Sequence, residues 1–418
     1  MHRDKKGFKE LVSPDEALEI FFRSVDIKPS GLEKLPIDKA LNRILADDIV
    51  STVDVPPFNR AAMDGYALRS LDVSGASQSN PIRLRVIGEA KTGLPFKGVV
   101  KEGEAVRIDT GAEMPEGADA VVMIEYTKAD GEYVDIYTAV SPYQNVALKG
   151  EDVKRGMVVA YSGIPLTPYD LAAIASLGIT EVEVYKKPVV GIAAIGNELV
   201  EIGDIPGESE IIETNRLMLR GMLYDYPVDI IDYGIISDEP DALINFFKNS
   251  VKDVDLLITA GGTSMGRGDY VVEAISEIGR VYVHGVALFP SRPVVLAEAF
   301  GVPILGLPGY PVAAAISTFL FGDAIINRLL GIKGRKITPE VKGKLTRRAA
   351  SKLGLRHYVR GKIEYRNGEI YIHPTITSGA GILTSLSLSD GYIVIHEDVE
   401  GYESGDEVSI KLYRRYVR

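Results

Sequence analysis

The spacing of apolar residues changes along the chain, and each change predicts a different kind of structure. Ser13-Pro14-Asp15-Glu16 reads as a helix start, with a hydroxyl cap, proline in the first turn and an acid three residues after the cap. Ala17, Leu18, Phe21, Phe22 and Val25 follow at helical spacing, and a second helix is predicted over 38–45. From about Ser51 to Val146 the pattern becomes short β runs between Gly and Pro turns, such as 82–87, 120–124 and 133–137. Helix signals return at Thr167-Pro168-Tyr169-Asp170, continue through Leu171, Ala172, Ile174, Ala175 and Leu177, and stop at Gly178. The β stretch therefore reads as an insertion between two helical pieces of one domain.

From about Lys187 to Lys333 strand and helix alternate. Apolar strands are predicted over 189–195, 228–236, 255–260 and 303–307, and helices over 215–223, 242–247, 270–278 and 311–330. This is the pattern of a doubly wound α/β sheet. Beyond Gly334 the chain is β again, and Arg366-Asn367-Gly368-Glu369 between two apolar runs is a hairpin signal. The expected class is a multidomain α/β plus β protein. Its parts are a helical domain (1–50 and 147–186), an inserted β domain (51–146), a central doubly wound α/β domain (187–333) and a C-terminal β domain (334–418).

Composition narrows the chemistry. The chain has 418 residues, with 47 basic against 58 acidic side chains, a net charge of -11 that argues against nonspecific duplex binding. It contains no Cys, which excludes disulfides, thiolate nucleophiles and Cys-ligated zinc. The first residues carry no apolar signal core, and the apolar run over 312–321 is shorter than the roughly 20 residues a bilayer requires. A soluble, cytoplasmic protein is expected, with neither membrane nor nucleic-acid partner.

In open α/β sheets ligands sit beyond the carboxyl ends of the strands, so the loops there are the candidates. The sharpest is Gly261-Gly262-Thr263-Ser264-Met265-Gly266-Arg267-Gly268-Asp269. Its glycines allow close backbone approach, its N–H groups favour anions, and two hydroxyls add donors. It is not a P-loop, since no Lys-Ser or Lys-Thr closes it. A second loop, Gly306-Leu307-Pro308-Gly309-Tyr310-Pro311, is stiffened by its prolines. Glu198 follows a third strand and could hold Mg²⁺ with phosphate oxygens. Asp238 ends a fourth, where it reads either as a site acid or as a helix cap. Outside this region Asp64-Gly65 reads as a turn.

Six segments in order carry a resemblance. They are VPPFNRAAMDGYALR at 55–69, TGAEMPEGADAVV at 110–122, GEDVKRG at 150–156, ETNR at 213–216, DLLITAGGTSMGRGD at 255–269 and GLPGYPVAA at 306–314. Together they resemble the molybdopterin molybdenumtransferase (MoeA) family, which includes the E domain of gephyrin. The resemblance implies a central domain similar to molybdopterin adenylyltransferases and an elongated homodimer with active sites between subunits. It implies a reaction in which adenylylated molybdopterin and molybdate, or tungstate, give molybdenum cofactor and AMP, with Mg²⁺ as cofactor. Carried over by position, Asp64, Thr110, Asp152 and Asp269 are the candidate catalytic residues, and Glu198 and Asp238 the metal ligands. Gly261, Gly262, Thr263, Ser264, Arg292, Pro293, Pro308, Gly309 and Ser378 are the candidate substrate and oxyanion contacts. Ser378, with Gly379-Ala380-Gly381 and Arg360, could reach a neighbouring subunit's pocket. Asp64 and Asp269 are expected to position the leaving phosphate or handle protons, with pKa values raised by burial near anions. The family usually reads Lys-Pro-Gly-Lys-Pro where this chain has Phe289-Pro290-Ser291-Arg292-Pro293. One cation is lost and the other becomes Arg, which binds oxyanions through a planar fork. A lone adenylyltransferase, or a non-catalytic pterin-binding scaffold, are the alternative readings.

Overall fold

A computed structural model describes residues 11–263, 270–334, 336–375 and 379–414 of the chain. At its centre is a mixed six-stranded sheet in the order Asp229–Ile236, Val189–Ile195, Leu256–Ala260, Val302–Leu307, Val295–Ala299, Arg280–His284. The first four strands are parallel; Val295–Ala299 runs antiparallel to them, and Arg280–His284 pairs antiparallel with it. Alternate residues of one strand serve opposite faces. Leu256 and Ile258 join a core with the helix Asn215–Leu223 and the Pro311–Ser317 helix, while Leu257 joins Phe247, Val271 and Ile275 on the other face. Helices on both faces make the sheet doubly wound, as the alternating pattern predicts. The antiparallel edge pair 280–284 and 295–299 was not foreseen.

The segment 311–330 forms one long helical rod with a π-helical turn at Thr318–Gly322. Among the described residues it is the one helix long and apolar enough to cross a membrane, so the helical run exceeds the ten-residue apolar stretch visible in the sequence. Two-thirds of its apolar window is buried, and Val312, Ile316, Phe321 and Ile325 pack onto the central sheet.

The outer parts depart from the sequence expectation in two ways. The helix Pro14–Ser24 forms, with the Ser13 hydroxyl accepting from the Glu16 N–H at 3.2 Å. However, Ala17 and Phe21 enter the central core, so this helix does not share a core with Pro168–Ser176. The predicted helix over 38–45 is only a 3₁₀ turn at Ile37–Lys39. The cause is visible at Ile44 and Leu45, which are adjacent yet buried in two different cores, an arrangement one helical stripe cannot satisfy. Just before them, Asn42 takes a φ of 61°, a left-handed conformation that breaks any helix running through 38–45. The segment is held instead by strand pairs Leu32–Pro36 with Glu181–Tyr185 and Ile49–Val50 with Val158–Ala160.

Between those pairs lies a six-stranded sheet in the order Ala120–Met123, Gly65–Leu68, Glu104–Ile108, Ile82–Ala90, Tyr133–Ile136, Thr127–Asp130. It carries a small core on each face. After the central sheet, the strands Arg356–Arg366, Glu369–Pro374, Glu340–Leu345, Glu407–Leu412 and Gly391–Ile395 close into a ring, because the last pairs back onto the first. Closure removes the free strand edges that invite aggregation. The Asn367-Gly368 turn has φ of 52° and 81°, and Arg366 pairs with Glu369, the two-residue hairpin the sequence predicts.

Candidate functional site

The four parallel strands end in register, with Ile195 opposite Ile236, Ala194 opposite Ala260, and Ala260 opposite Leu307. From Val189–Ile195 the chain runs to one neighbour, Asp229–Ile236, and later to the other, Leu256–Ala260. That reversal opens a crevice at the carboxyl ends of Val189–Ile195 and Leu256–Ala260, where open α/β sheets bind ligands.

Glycine builds the crevice floor. Gly261 sits at φ 103°, and a Cβ there would lie 2.2 Å from the Ile195 carbonyl oxygen. Its N–H donates to the Leu307 carbonyl at 3.0 Å. Gly262, at φ 69°, would drive a Cβ to 2.5 Å from Val271. Gly309 packs over Gly261, and its carbonyl accepts from the Asn215 side-chain amide at 2.8 Å. Pro308 is buried beneath it. Thr263 corrects the expectation of a hydroxyl donor to an anion: it is 1% exposed, and its Oγ1 donates inward to Leu307 at 3.2 Å. Its hydroxyl braces the loop. Ser264, Asp269 and Ser378 lie outside the described residues.

At the next two strand ends stand the acids. Glu198 is exposed, and its carboxylate folds back over Gly196. Asp238 is half-buried and accepts from the Asn197 side chain. The helix-cap alternative for Asp238 does not hold, since the cap of Pro240–Ser250 is Glu239 and makes no side-chain capping bond. Asn197 and Asp238 thus hold the two acidic loops together.

An ion network locks this side of the crevice, and the sequence reading passed over it. Arg216 reaches Glu213 at 3.1 Å, Asp232 at 2.8 Å, and Glu201. Glu213, 2% exposed, also accepts from the backbone N–H groups of Asn215 and Arg216. Burial pushes the Asp232 carboxyl up, but Arg216, the Gly234 N–H and Arg220 outweigh it and hold the group below its ordinary range. Because the loop after Glu198 pairs Leu199–Val200 with Ile211–Ile212, Arg216 fixes the base from which Glu198 projects. The available signals were Glu213 and Arg216 within the ETNR segment, and Asp232 inside the strand Asp229–Ile236.

The loop 289–293 shows what the departure from Lys-Pro-Gly-Lys-Pro does. Phe289 makes an edge contact with His357 of the closed ring, centroids 4.8 Å apart, and Leu288–Phe289 pairs with Arg356 and His357. Burial, and Arg360 nearby, pull His357 down to about 4, so its ring is neutral at physiological pH. The position of the missing lysine is therefore an apolar joint to the C-terminal sheet. Ser291, where the family has Gly, is held at φ 108°, a left-handed conformation natural to glycine, and its buried hydroxyl bonds Ser317 of the helix that starts at Pro311. Arg292 and Pro293 are half-buried in this loop.

On the inserted sheet, Asp64 and Thr110 form a separate pair. The Asp64 Oδ1 accepts from the Thr110 N–H at 2.6 Å and from its hydroxyl at 2.7 Å. The Thr110 backbone N–H, then its hydroxyl, hold Asp64 below the ordinary carboxylate range, and Arg107 adds to the effect. This overturns the expected raised pKa: Asp64 is exposed and ionised. Asp152 is also exposed, its N–H donating to the Val55 carbonyl at 3.1 Å. Among the described residues no hydrogen bond or ion pair joins Asp64, Thr110 or Asp152 to the crevice. Within one chain the structure brings together Glu198, Asp238, Gly261, Gly262, Thr263, Pro308 and Gly309, and leaves Asp64 and Thr110 as a second centre.

The barrel loop also reaches the crevice in cis. The Ala380 carbonyl accepts from the Val312 N–H at 3.0 Å, and Gly381 lies against the Tyr310 ring.

Fold and crevice define a class: a multidomain protein whose central α/β sheet binds its ligand at a glycine-lined switch point, flanked by an inserted β sheet and a closed C-terminal one. Family models agree segment by segment. Residues 12–178 match the MoeA N-terminal region (domain I and II), 191–327 the probable molybdopterin binding domain, and 342–413 the MoeA C-terminal region (domain IV). A molybdopterin biosynthesis protein of Methanocaldococcus jannaschii is 37% identical over 98% of this chain and 100% of its own length. The molybdopterin molybdenumtransferase of Haemophilus influenzae is 33% identical over 92% of this chain and 94% of its own. A crystal structure of the molybdopterin biosynthesis MoeA protein from Pyrococcus horikoshii superposes with a TM-score of 0.83 at 35% identity, covering 97% of this chain and 100% of that one. The chain belongs to the MoeA family, whose work lies in molybdenum cofactor biosynthesis.

Proposed function

We propose that this chain is a molybdopterin molybdenumtransferase acting on adenylylated molybdopterin and molybdate in the cytoplasm, and that it works as a homodimer. The observation that carries the reading is the crevice itself, glycine-lined at the topological switch point, with Glu198 and Asp238 on adjacent loops joined through Asn197. The transferases among its relatives carry the same name over nearly the whole chain.

In the reaction a P–O bond of the phosphoanhydride breaks, and water's oxygen and protons are divided between AMP and the pterin phosphate. As the two dithiolene sulfurs bind the metal, one molybdate oxo ligand leaves as water, taking up the two protons that the dithiol gives up. Gly261, Gly262 and Gly309 let the backbone approach the phosphates without a side chain intervening. Arg292 supplies the remaining positive charge for the oxyanion. Asp64, ionised and held by Thr110, serves as a base or an orienting acceptor, since its lowered pKa removes it as a proton donor near neutral pH. That no hydrogen bond or ion pair among the described residues joins Asp64 to the crevice fits a site completed by a second subunit.

Among the described residues no cluster of three or more acids or histidines forms a metal cage. Mg²⁺ rarely needs one, because it commonly takes one or two carboxylates and completes its shell with phosphate oxygens and water. Glu198 and Asp238 fit that donor set and would hold it, and the bound ion would neutralise charge on the anhydride oxygens.

The test is to mix purified protein with adenylylated molybdopterin, Mg²⁺ and either molybdate or tungstate. AMP release and reconstitution of an apo-molybdoenzyme are then followed separately. Release of AMP with insertion is expected; binding without AMP release, with either oxyanion, favours the scaffold reading.

A further inference from the structure

Tyr310 follows Gly309 at the crevice and is 64% exposed, so most of its ring is open to a ligand there. Its backbone is rigid. It caps the Pro311–Ser317 helix with φ -73° and ψ 126°, its carbonyl accepts from the Ala314 N–H at 2.9 Å, and the preceding Gly309 carbonyl is tied to Asn215. The ring is propped as well. Gly381 leans on it so closely that a Cβ there would stand 3.1 and 3.4 Å from two ring carbons, and Gly381 is itself fixed because its neighbour Ala380 bonds the Val312 N–H. A rigid root, a ledge on one side and an open remainder are the features of a stacking platform. Planar heteroaromatic rings stack on such side chains because every such ring has a π face.

We infer that Tyr310, held by Gly381 of the closed C-terminal sheet, is a binding residue that stacks against a planar heteroaromatic ring of the ligand seated in the crevice. This deepens the proposed function and rests on it only in the identity of the ring, adenine or pterin. It also gives the barrel loop a task in its own subunit: setting the angle of the ring.

The test uses full-length protein and two probes in separate titrations, AMP alone and a pterin monophosphate lacking the nucleotide. Tyr310→Ala should weaken one of them about tenfold, the scale of loss of one base–aromatic stack. The affected probe identifies the ring. Tyr310→Phe, which keeps the π face, should restore binding. Gly381→Ala should weaken the same probe by a smaller factor, because its Cβ displaces the ring without removing it. In turnover, Tyr310→Ala should raise KM for the adenylylated substrate with kcat little changed. If Tyr310→Ala alters the affinity for neither probe, the inference is overturned. Should the wild type bind a probe in a Tyr310-dependent way yet release no AMP, the platform stands and the transferase reading fails.

Discussion

At the central crevice the backbone carries much of the work, over a buried floor and a buried ion network: Gly261 cannot bear a Cβ, Thr263 turns its hydroxyl inward, and Glu213 pairs with Arg216. On the inserted sheet, one exposed carboxylate held by one threonine is the whole arrangement. The first region is preorganised by folding and is tightly coupled to stability. The second is an exposed pair whose hold on stability is small beside that of a buried network, so its geometry is free to serve a surface brought to it from elsewhere. Function and stability should therefore separate at Asp64 and not at Arg216.

The largest effect expected from that contrast is at Arg216. Arg216→Ala leaves Glu213 buried without its guanidinium, a loss of about 3–5 kcal/mol. Urea unfolding monitored by circular dichroism reads it, and a drop under 1 kcal/mol would show that the network adds little. Next comes Asp64→Asn, expected to lower turnover about a hundredfold while leaving the unfolding midpoint in place. Mixing subunits sharpens the point. Random pairing of Asp64→Asn with Asp238→Asn chains restores about a quarter of the wild-type sites if each site takes Asp64 from one protomer and Asp238 from the other. If one chain holds a complete site, mixing restores nothing.

The smallest effect concerns pH. Asp64 has a depressed pKa in the folded protein, so the favourable contribution of its charge is present above the ordinary carboxylate range and lost as pH falls through the folded value. Thr110→Val deletes the hydroxyl and keeps the N–H, so the pKa moves back up. The acid limb of the pH–rate profile should move to higher pH in that variant. An unmoved limb means that another group sets it.

Much of this was legible in the sequence because one physical rule applied at a time. The strand Val189–Ile195 and the helix Asn215–Leu223 have the bounds their apolar periods predict. The Asn367-Gly368 turn was legible because few residue pairs accept two positive φ angles. Reading failed where one segment answered to two neighbours. Ile44 and Leu45 look like part of a helical stripe, and only the folded chain shows that they face separate cores. The strand Val295–Ala299 follows a loop with two prolines and carries Glu298, which masked its apolar character. At the site, the glycine loops were visible because glycine has few other uses in such a pattern. The Asp64–Thr110 bond was not, because it joins residues far apart in sequence through a turn acid that has no distinguishing local environment.

The position of the first helix has a consequence for how the chain is made. Phe21 is synthesised well before Tyr282, against which it packs, and before Ile316 and Tyr392 of the same core. Until those residues are synthesised, the apolar stripe of Pro14–Ser24 has no surface to bury against, whereas the inserted sheet already holds all of its own partners. The nascent protein therefore passes through a stage in which its middle is folded and its beginning still waits, the stage at which a chaperone has most to hold.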